Sequence, residues 1–429
     1  MWINMRYFVL ILLCHILVLA KKYSLEDCIS LGLANRHIQE QIMLDNLYIA
    51  EQNSQLMQEW IPALSFSANG FRAEQGIRSE YLGSQEFEQP AATYGYYTSS
   101  IHLSNKIFDW GNSLRKKNRI NFVDNSLRQL NISEKRELVD YIQNLYLTLS
   151  KNIEMQLLFD TEMTDISLKV DFIQELVRKG LCAESDVLQA EIEMNNQLIK
   201  IQNQSIENKK IKQKLNAVIG NNIRDTISIV LPTANMENNL KIINVEKYPS
   251  VNHLLMQKQL LETDLNILKW DGMPDLYVSV NYSRRSSVFQ DIYTTFDKNW
   301  TIGYSLSISL PLYNQGKNKL IRIQKTIEIK KLEFEIEKTI SDKKIEYIAL
   351  AESYKSQKFN LKLFESNIKK LEDVYNSEIK LYSMGSLSFR DIMQSRQKLS
   401  LAKQNIIATK YNLINIRCQI DLMTGSWDG

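Results

Sequence analysis

The sequence predicts a mixed fold, mainly helical with a smaller β part, built from long helical hairpins and four strands per chain. Three observations carry this expectation. Glycine and proline are scarce, 14 and 6 in 429 residues, and no proline falls in 112–231 or 312–429. Proline breaks helix interiors and glycine weakens them, so those stretches read as very long helices. Four shorter segments carry strand character, three of them with a clear period of two. Landmark residues also recur at one fixed offset, so the second half of the chain repeats the first.

The elements follow in order. Met1 to Arg6 carries one positive side chain, Tyr7 to Ala20 is apolar apart from His15, and Val18-Leu19-Ala20 loosely fits a small-residue cleavage site. Residues 1–20 therefore read as a signal peptide for export, too short to span a bilayer comfortably. Leu12-Leu13-Cys14 has no small residues before its cysteine, so lipidation is not expected there. A helix is expected from Ser24 to about Trp60, opened by Ser24-Leu-Glu-Asp27 as a capping box. Strands follow at about 62–73 and 93–104; Leu64, Phe66, Ala68 and Gly70 alternate with Ser65, Ser67 and Asn69, while the second alternates weakly. Helices at about 114–178 and 185–219 meet in a turn at Gly180. Residues 221–247 form a connector.

The second half then runs helix 250–270, strands at about 275–284 and 300–310, and helices at about 317–382 and 387–424 turning at Gly385. In the last strand Trp300, Ile302, Tyr304, Leu306, Ile308 and Leu310 alternate with Thr301, Gly303, Ser305, Ser307 and Ser309. Gly111 and Gly316, Gly180 and Gly385, Asp186 and Asp391, and Gly220 and Gly425 are each separated by 205 residues. The chain thus divides into repeats 21–220 and 248–425, the connector 221–247 and a tail 426–429.

Lengths constrain the assembly. At about 1.5 Å per residue the first long helix reaches roughly 97 Å, and the two shorter helices of its half, stacked, match it. That suits a long cylindrical wall. The strands have one apolar and one Ser/Thr/Asn face, a pattern shared by soluble sandwiches and outer-membrane barrels. Strand length near 10 residues, the aromatic content and the signal favour the barrel. Four strands cannot close, and lipid does not tolerate open edges, so such a chain must oligomerise. Two copies would give a side-chain-filled barrel of about eight strands, and three would leave room for a pore.

Enzymatic chemistry is not expected. His15, His37, His102 and His253 are scattered, Cys28, Cys182 and Cys418 are isolated, and no metal-ligand spacing, phosphate loop or nucleophile elbow occurs. No cofactor is implied. A net charge of +3 without a dense basic stretch gives no reason to expect nucleic acid.

Further strings of residues carry a family resemblance. They are Tyr23-Ser-Leu-Glu-Asp-Cys-Ile29, Trp60-Ile-Pro-Ala-Leu64, Ile107-Phe-Asp-Trp-Gly-Asn112, Arg178-Lys-Gly180 before Asp186-Val-Leu188, Ser309-Leu-Pro-Leu-Tyr-Asn-Gln-Gly316, Tyr382-Ser-Met-Gly385 before Asp391-Ile392, and Met423-Thr-Gly425. In this order and duplication the sequence resembles the TolC family of outer-membrane efflux proteins over essentially all of the chain after residue 20. The resemblance implies a homotrimer, with a twelve-stranded β-barrel in outer-membrane lipid and a long periplasmic α-barrel. It implies a passive exit duct working with a periplasmic adaptor and an inner-membrane transporter, in efflux or type I secretion. It also implies a periplasmic gate near the helical tips. Asp186 and Tyr382 match one gate contact, Ser185 matches the hydroxyl of a second whose arginine is replaced by Leu387, and Asp391 and Gln394 match a constriction that elsewhere has two aspartates. From the residues alone, Asp186 and Asp391 also read as first-turn charges that stabilise helix N-termini. The rival is a non-transporting periplasmic coiled-coil scaffold, which has no need of strands with one apolar face.

Overall fold

The computed structural model describes residues 22–75, 78–82, 85–89, 92–180, 183–232, 244–245, 248–270, 273–294, 300–310, 316–384 and 386–424. The expected signal segment with Cys14, residues Cys182, Gly385 and Gly425, the tail and part of the connector lie outside them. In chain order the elements are β1 (Lys22–Tyr23), α1 (Leu25–Leu33), α2 (Arg36–Gln58), β2 (Ala63–Gln75), β3 (Arg78–Leu82), β4 (Gln85–Gln89) and β5 (Ala92–Phe108). They continue with α3 (Asn112–Arg178), α4 (Glu184–Ile219), β6 (Ser228–Ile229), α5 (Pro249–Trp270), β7 (Asp275–Ser286), α6 (Asp291–Thr294), β8 (Trp300–Ser309), α7 (Lys317–Ser383) and α8 (Phe389–Thr424). Two compact units emerge, each drawing on both halves of the chain.

One unit comprises Leu44–Arg128 and His253–Ile336. Its centre is an antiparallel sheet in the order β2-β5-β7-β8. The registers align like with like across all four strands. Leu64, Leu103, Val280 and Tyr304 form one row, and Phe66, Ile101, Tyr282 and Ile302 the next on that face. On the opposite face Ser67, Ser100, Ser283 and Thr301 form a row, as do Ala63, Ser104, Ser279 and Ser305. Hydroxyl pairs tie this polar face together, Ser67 to Ser100 at 2.7 Å and Ser279 to Ser305 at 2.6 Å. Much of the apolar face is exposed in the single chain, with Leu64 and Phe66 each 71% and Tyr304 80% exposed, while at one end Phe289 packs its ring 5.2 Å from that of Tyr97. β2 and β8 each pair on one side only. The weakly alternating segment is β5, longer than expected and central to the sheet, with a bulge between Lys106 and Phe108. Arg284 is a cation on the apolar face, and its guanidinium donates to the carbonyl oxygens of Asp291 and Ile292, where α6 folds back.

The other unit comprises the described residues of Met1–Met43, Gln129–Asn252 and Glu337–Gly429. Here the expected helix 24–60 is in two pieces. The capping box forms, with the Ser24 amide donating to Asp27 Oδ2 at 2.9 Å and the Asp27 amide to Ser24 Oγ at 3.0 Å. The helix stops after Leu33, and at the break the Asn35 side-chain oxygen accepts from the His37 amide at 3.4 Å, a local alternative to helix continuation, while its side-chain amide donates to the Val218 carbonyl at 2.9 Å. Gly32 lets α1 approach α3 closely, since a Cβ there would lie 2.3 Å from Ile142 Cδ1. β1 pairs in parallel with β6, and the Tyr146 hydroxyl donates to the Tyr23 and Val230 carbonyls beside that pair.

A core of Cys28, Val139, Ile142, Tyr146, Leu149 and Leu215 closes this region. Burial pushes the Cys28 thiol up to about 12, with Asp27 adding to the shift, so it stays protonated and acts as a small apolar side chain. Leu215 is fully buried. Leu215→Ala is expected to cost about 2–5 kcal/mol through lost burial and the cavity left behind, read as a lower urea midpoint in detergent.

Candidate functional site at the helical tips

Both hairpins turn in the second of these units. α3 ends at Arg178 and the chain reverses through Gly180, whose φ of 71° lies in the left-handed region that favours glycine. The Gly180 amide donates to the Val177 carbonyl at 2.9 Å. α4 then carries Glu184 and Asp186 in its first turn, where unsatisfied amides favour negative charge. At the second tip, Ser386 N–H donates to the Leu381 carbonyl at 3.0 Å and closes the end of α7. α8 opens with a reciprocal cap. Ser388 Oγ bonds Asp391 Oδ2 at 2.6 Å, and each backbone amide reaches the other's side chain at 3.3 Å.

Four helices meet behind these turns. Ile166, Val170 and Ile173 of α3, Ala190 of α4, Tyr382 of α7, and Phe389 and Ile392 of α8 form one apolar cluster. Tyr382 is 9% exposed, with its ring 6.0 Å from that of Phe389. Asp186 is half-buried beside Val187, which packs on the same cluster. Ser185, Asp391 and Gln394 are exposed in the single chain. The fold therefore draws Tyr382 into a packed layer, sets Asp186 at its margin, and uses the Asp391 carboxylate as a helix cap.

Next to this cluster, on the side away from the turns, lies a polar layer that sequence reasoning missed. Arg396 of α8 is 8% exposed, Glu162 of α3 9% and Gln197 of α4 1%. Gln197 Nε2 donates to Glu162 Oε2 at 3.2 Å and to the Phe159 carbonyl at 3.0 Å. Arg396 Nη1 reaches Glu193 Oε1 at 3.5 Å, and Nη2 reaches the Glu162 carbonyl at 3.4 Å. Lys169 of α3 lies over the Tyr375 ring of α7, 4.5 Å from its centroid. The signal was present in the sequence. Phe389, Ile392, Arg396 and Leu399 form one helical stripe, and Phe159, Glu162, Ile166, Val170 and Ile173 another, each with one charged residue among apolar ones.

Desolvation first, and then the nearby Arg396 charge, lower the Lys169 pKa to about 8 against the pull of Asp165. Burial also works against the Arg396 charge, while Glu193, Glu162 and Asp165 support it. Lys169 therefore binds fewer protons folded than unfolded between about pH 8 and the ordinary lysine range. Stability should rise with pH across that window. In Lys169→Met this part of the slope should disappear, measured as urea midpoints at a series of pH values, and the variant should be more stable than wild type at pH 7.

Among the described residues, no group of three or more His, Cys, Asp or Glu side chains is placed to hold a metal ion. No described helix is long and apolar enough to cross a membrane. Neither a protein-family model nor a curated protein matches the sequence. Solved structures do match. The outer membrane protein VceC of Vibrio cholerae superimposes with a TM-score of 0.76 at 13% identity, over 94% of this chain and 96% of that one. The outer-membrane channel OprN gives 0.76 at 13% identity, over 94% and 89%. The Campylobacter jejuni outer membrane channel CmeC gives 0.72 at 14% identity, over 94% and 85%. With the duplicated hairpins and the four-stranded sheet, these superpositions establish that the chain has a TolC-like fold.

Proposed function

We propose that this chain is the subunit of an outer-membrane channel, a passive exit duct for substrates delivered by an inner-membrane transporter through a periplasmic adaptor. The observation that carries the proposal is the sheet. It has one largely apolar face, one hydroxyl-rich face and, among the described strands, two edges paired on one side only. A sheet of this kind satisfies its edge amides and carbonyls in lipid only by pairing with further copies. Three copies give a twelve-stranded barrel with Leu, Ile, Phe and Tyr toward lipid and Ser, Thr and Asn toward a wet lumen. VceC, OprN and CmeC, described as outer membrane protein or channels, support the same reading.

In this reading residues 1–20 direct export, repeats 21–220 and 248–425 build the barrel and the periplasmic helices, and 221–247 with the tail form an equatorial connection. The hairpin turns lie at the periplasmic end. Tyr382 and Asp186 close the gate there with Ser185, and Asp391 and Gln394 line the constriction. Specificity for cargo belongs to the transporter.

Leu306 and Ser305 are neighbours on opposite faces of β8, which makes them the natural test pair. Leu306→Arg should disrupt membrane assembly at a cost of roughly 2–4 kcal/mol per midplane position, whereas Ser305→Arg should assemble. Native mass measurement in detergent should give three copies for wild type and for Ser305→Arg. A stable monomer in buffer without detergent would remove the barrel reading, and equal assembly by both variants would remove the assigned faces. For the gate, a phenol–carboxylate bond between Tyr382 and Asp186 would contribute about 1.5–3 kcal/mol. Tyr382→Phe should accordingly raise single-channel conductance in planar bilayers, and unchanged conductance would remove Tyr382 from the gate.

A further inference from the structure

We propose that the outer end of the sheet carries a binding groove for a lipid acyl chain, walled on one side by α6 and open toward the outer leaflet of the membrane. This rests on the channel reading above and concerns residues to which neither that reading nor the resemblance assigns a role.

The groove lies on the apolar face, at the end of the sheet remote from the strand–helix junctions. β7 runs from Asp275 to Ser286 at that end, and β8 returns from Trp300. Its floor is made largely of small residues. Ala68, Ser99, Arg284 and Trp300 form one row across the strands, and Gly70, Tyr97 and Ser286 the next. The short side chains at 68, 70 and 99 leave a trough beside the bulky row of Phe66, Ile101 and Tyr282. The segment between β7 and β8 supplies the far wall. Phe289 sets its ring 5.2 Å from that of Tyr97 and 5.8 Å from that of Tyr293, both edge-on. The space between floor and wall is about 590 Å³. Ligand sites typically measure about 300–1,000 Å³ and are lined, as here, by aromatic and aliphatic side chains with a few polar groups.

The wall is held in place by specific bonds. Arg284 is 4% exposed, and its guanidinium donates to the Asp291 and Ile292 carbonyls, so a cation on an apolar face is used to hold α6 over that face. Ser286 Oγ donates to Asp291 Oδ2 at 3.2 Å and accepts from the Val288 amide at 3.1 Å, which fixes the start of the same segment. A segment that only shielded the sheet would fill the space over Ala68 and Ser99. This one leaves it open, while Phe289 stays 60% and Tyr293 55% exposed at the rim.

The occupant follows from where the groove opens. In a closed barrel the next copy pairs with the edges of β2 and β8 and continues the sheet, so it does not lie over the face. Cargo passes on the hydroxyl-rich side. What meets the apolar face is lipid, and Tyr97, Tyr293 and Trp300 at this end suit the head-group level. From Gly70 to Phe66 the floor runs inward for about 13 Å, at about 3.3 Å per residue. That is the direction of a chain hanging from a head group at the rim.

The test is photolabelling of full-length protein in vesicles of phosphatidylethanolamine and phosphatidylglycerol, in which a trace of the phosphatidylglycerol carries a diazirine on one acyl chain. Labelled residues are located by mass spectrometry. Labelling of Tyr97, Phe289 and Tyr293 should exceed that of Leu306 and Ile308, on the open part of the same face, about threefold or more, because a concave site buries most of its ligand. Ser99→Phe, which fills the trough, should abolish that excess and leave Leu306 and Ile308 labelled as in wild type, at unchanged trimer yield. If Ser99→Phe does not assemble, Ala68→Leu carries the same test from the neighbouring strand. Added glycerol phosphate, a head group without chains, should not compete. Even labelling over the whole face in wild type overturns the groove, as does an excess that survives the filling substitution or that glycerol phosphate removes. Absence of label from Leu306 and Ile308 shows that the sheet does not meet lipid and overturns the channel reading instead, so the two failures are distinguishable.

Discussion

A helix of 67 residues presents an apolar stripe roughly 100 Å long, and that stripe must be covered along its whole length. This chain has two such helices, α3 and α7. The demand explains the arrangement of the unit that contains the hairpin turns. α3 is covered by α1 and α4 around Ile142, Tyr146 and Leu149, and by α4, α7 and α8 around Ile166, Val170 and Ile173. α7 and α8 share Tyr354, Leu361, Leu413 and Ile420. In these clusters the cover comes in pieces, from different helices at different points along α3. The joints between pieces are where the chain needs special residues. Asn35 stands at a helix break and bonds Val218, and Gly32 admits a close crossing.

The sheet is governed by a different demand. Its strands satisfy one another's backbone groups in the middle and leave β2 and β8 unpaired at the outside. Most of its apolar side chains are exposed, only the end near α6 being covered, and its hydroxyls lie on the other face. In water such a sheet would be a hazard, with an exposed apolar face and two open templates for pairing. In a lipid-embedded closed barrel, as proposed above, the same two properties would be requirements.

Near the turns the demand of the long helices is met by four helices at once. An apolar cluster would suffice to hold four helices together, and one is present. Beside it the chain places Arg396, Glu162 and Gln197 on helix faces that are otherwise apolar. Each must find its partner on another helix, so the layer admits one register and penalises others. Tyr382 belongs to the apolar cluster, its ring packed against Phe389.

Much of this was legible in the sequence because it depends on neighbours along the chain. Proline and glycine spacing marked the helices, the Ser24–Asp27 cap was readable from four residues, and alternation in β8 assigned both faces of a strand without any partner. The repeat offset pairs Gly111 with Gly316 as equivalents, and both have a left-handed φ, 74° and 71°. The charged interruptions at Glu162 and Arg396 were equally visible, but their meaning was not. A charge on an apolar stripe can point to solvent at a gap, or meet an opposite charge from a segment more than 200 residues away. Only the packing of α3, α4 and α8 decides between them, because burial and pairing are properties of the assembled helices and local periodicity contains no information about which helices meet. The same holds for β5, whose weak alternation hid its place at the centre of the sheet. Periodicity reports what one segment would bury, whereas the tertiary structure decides against what.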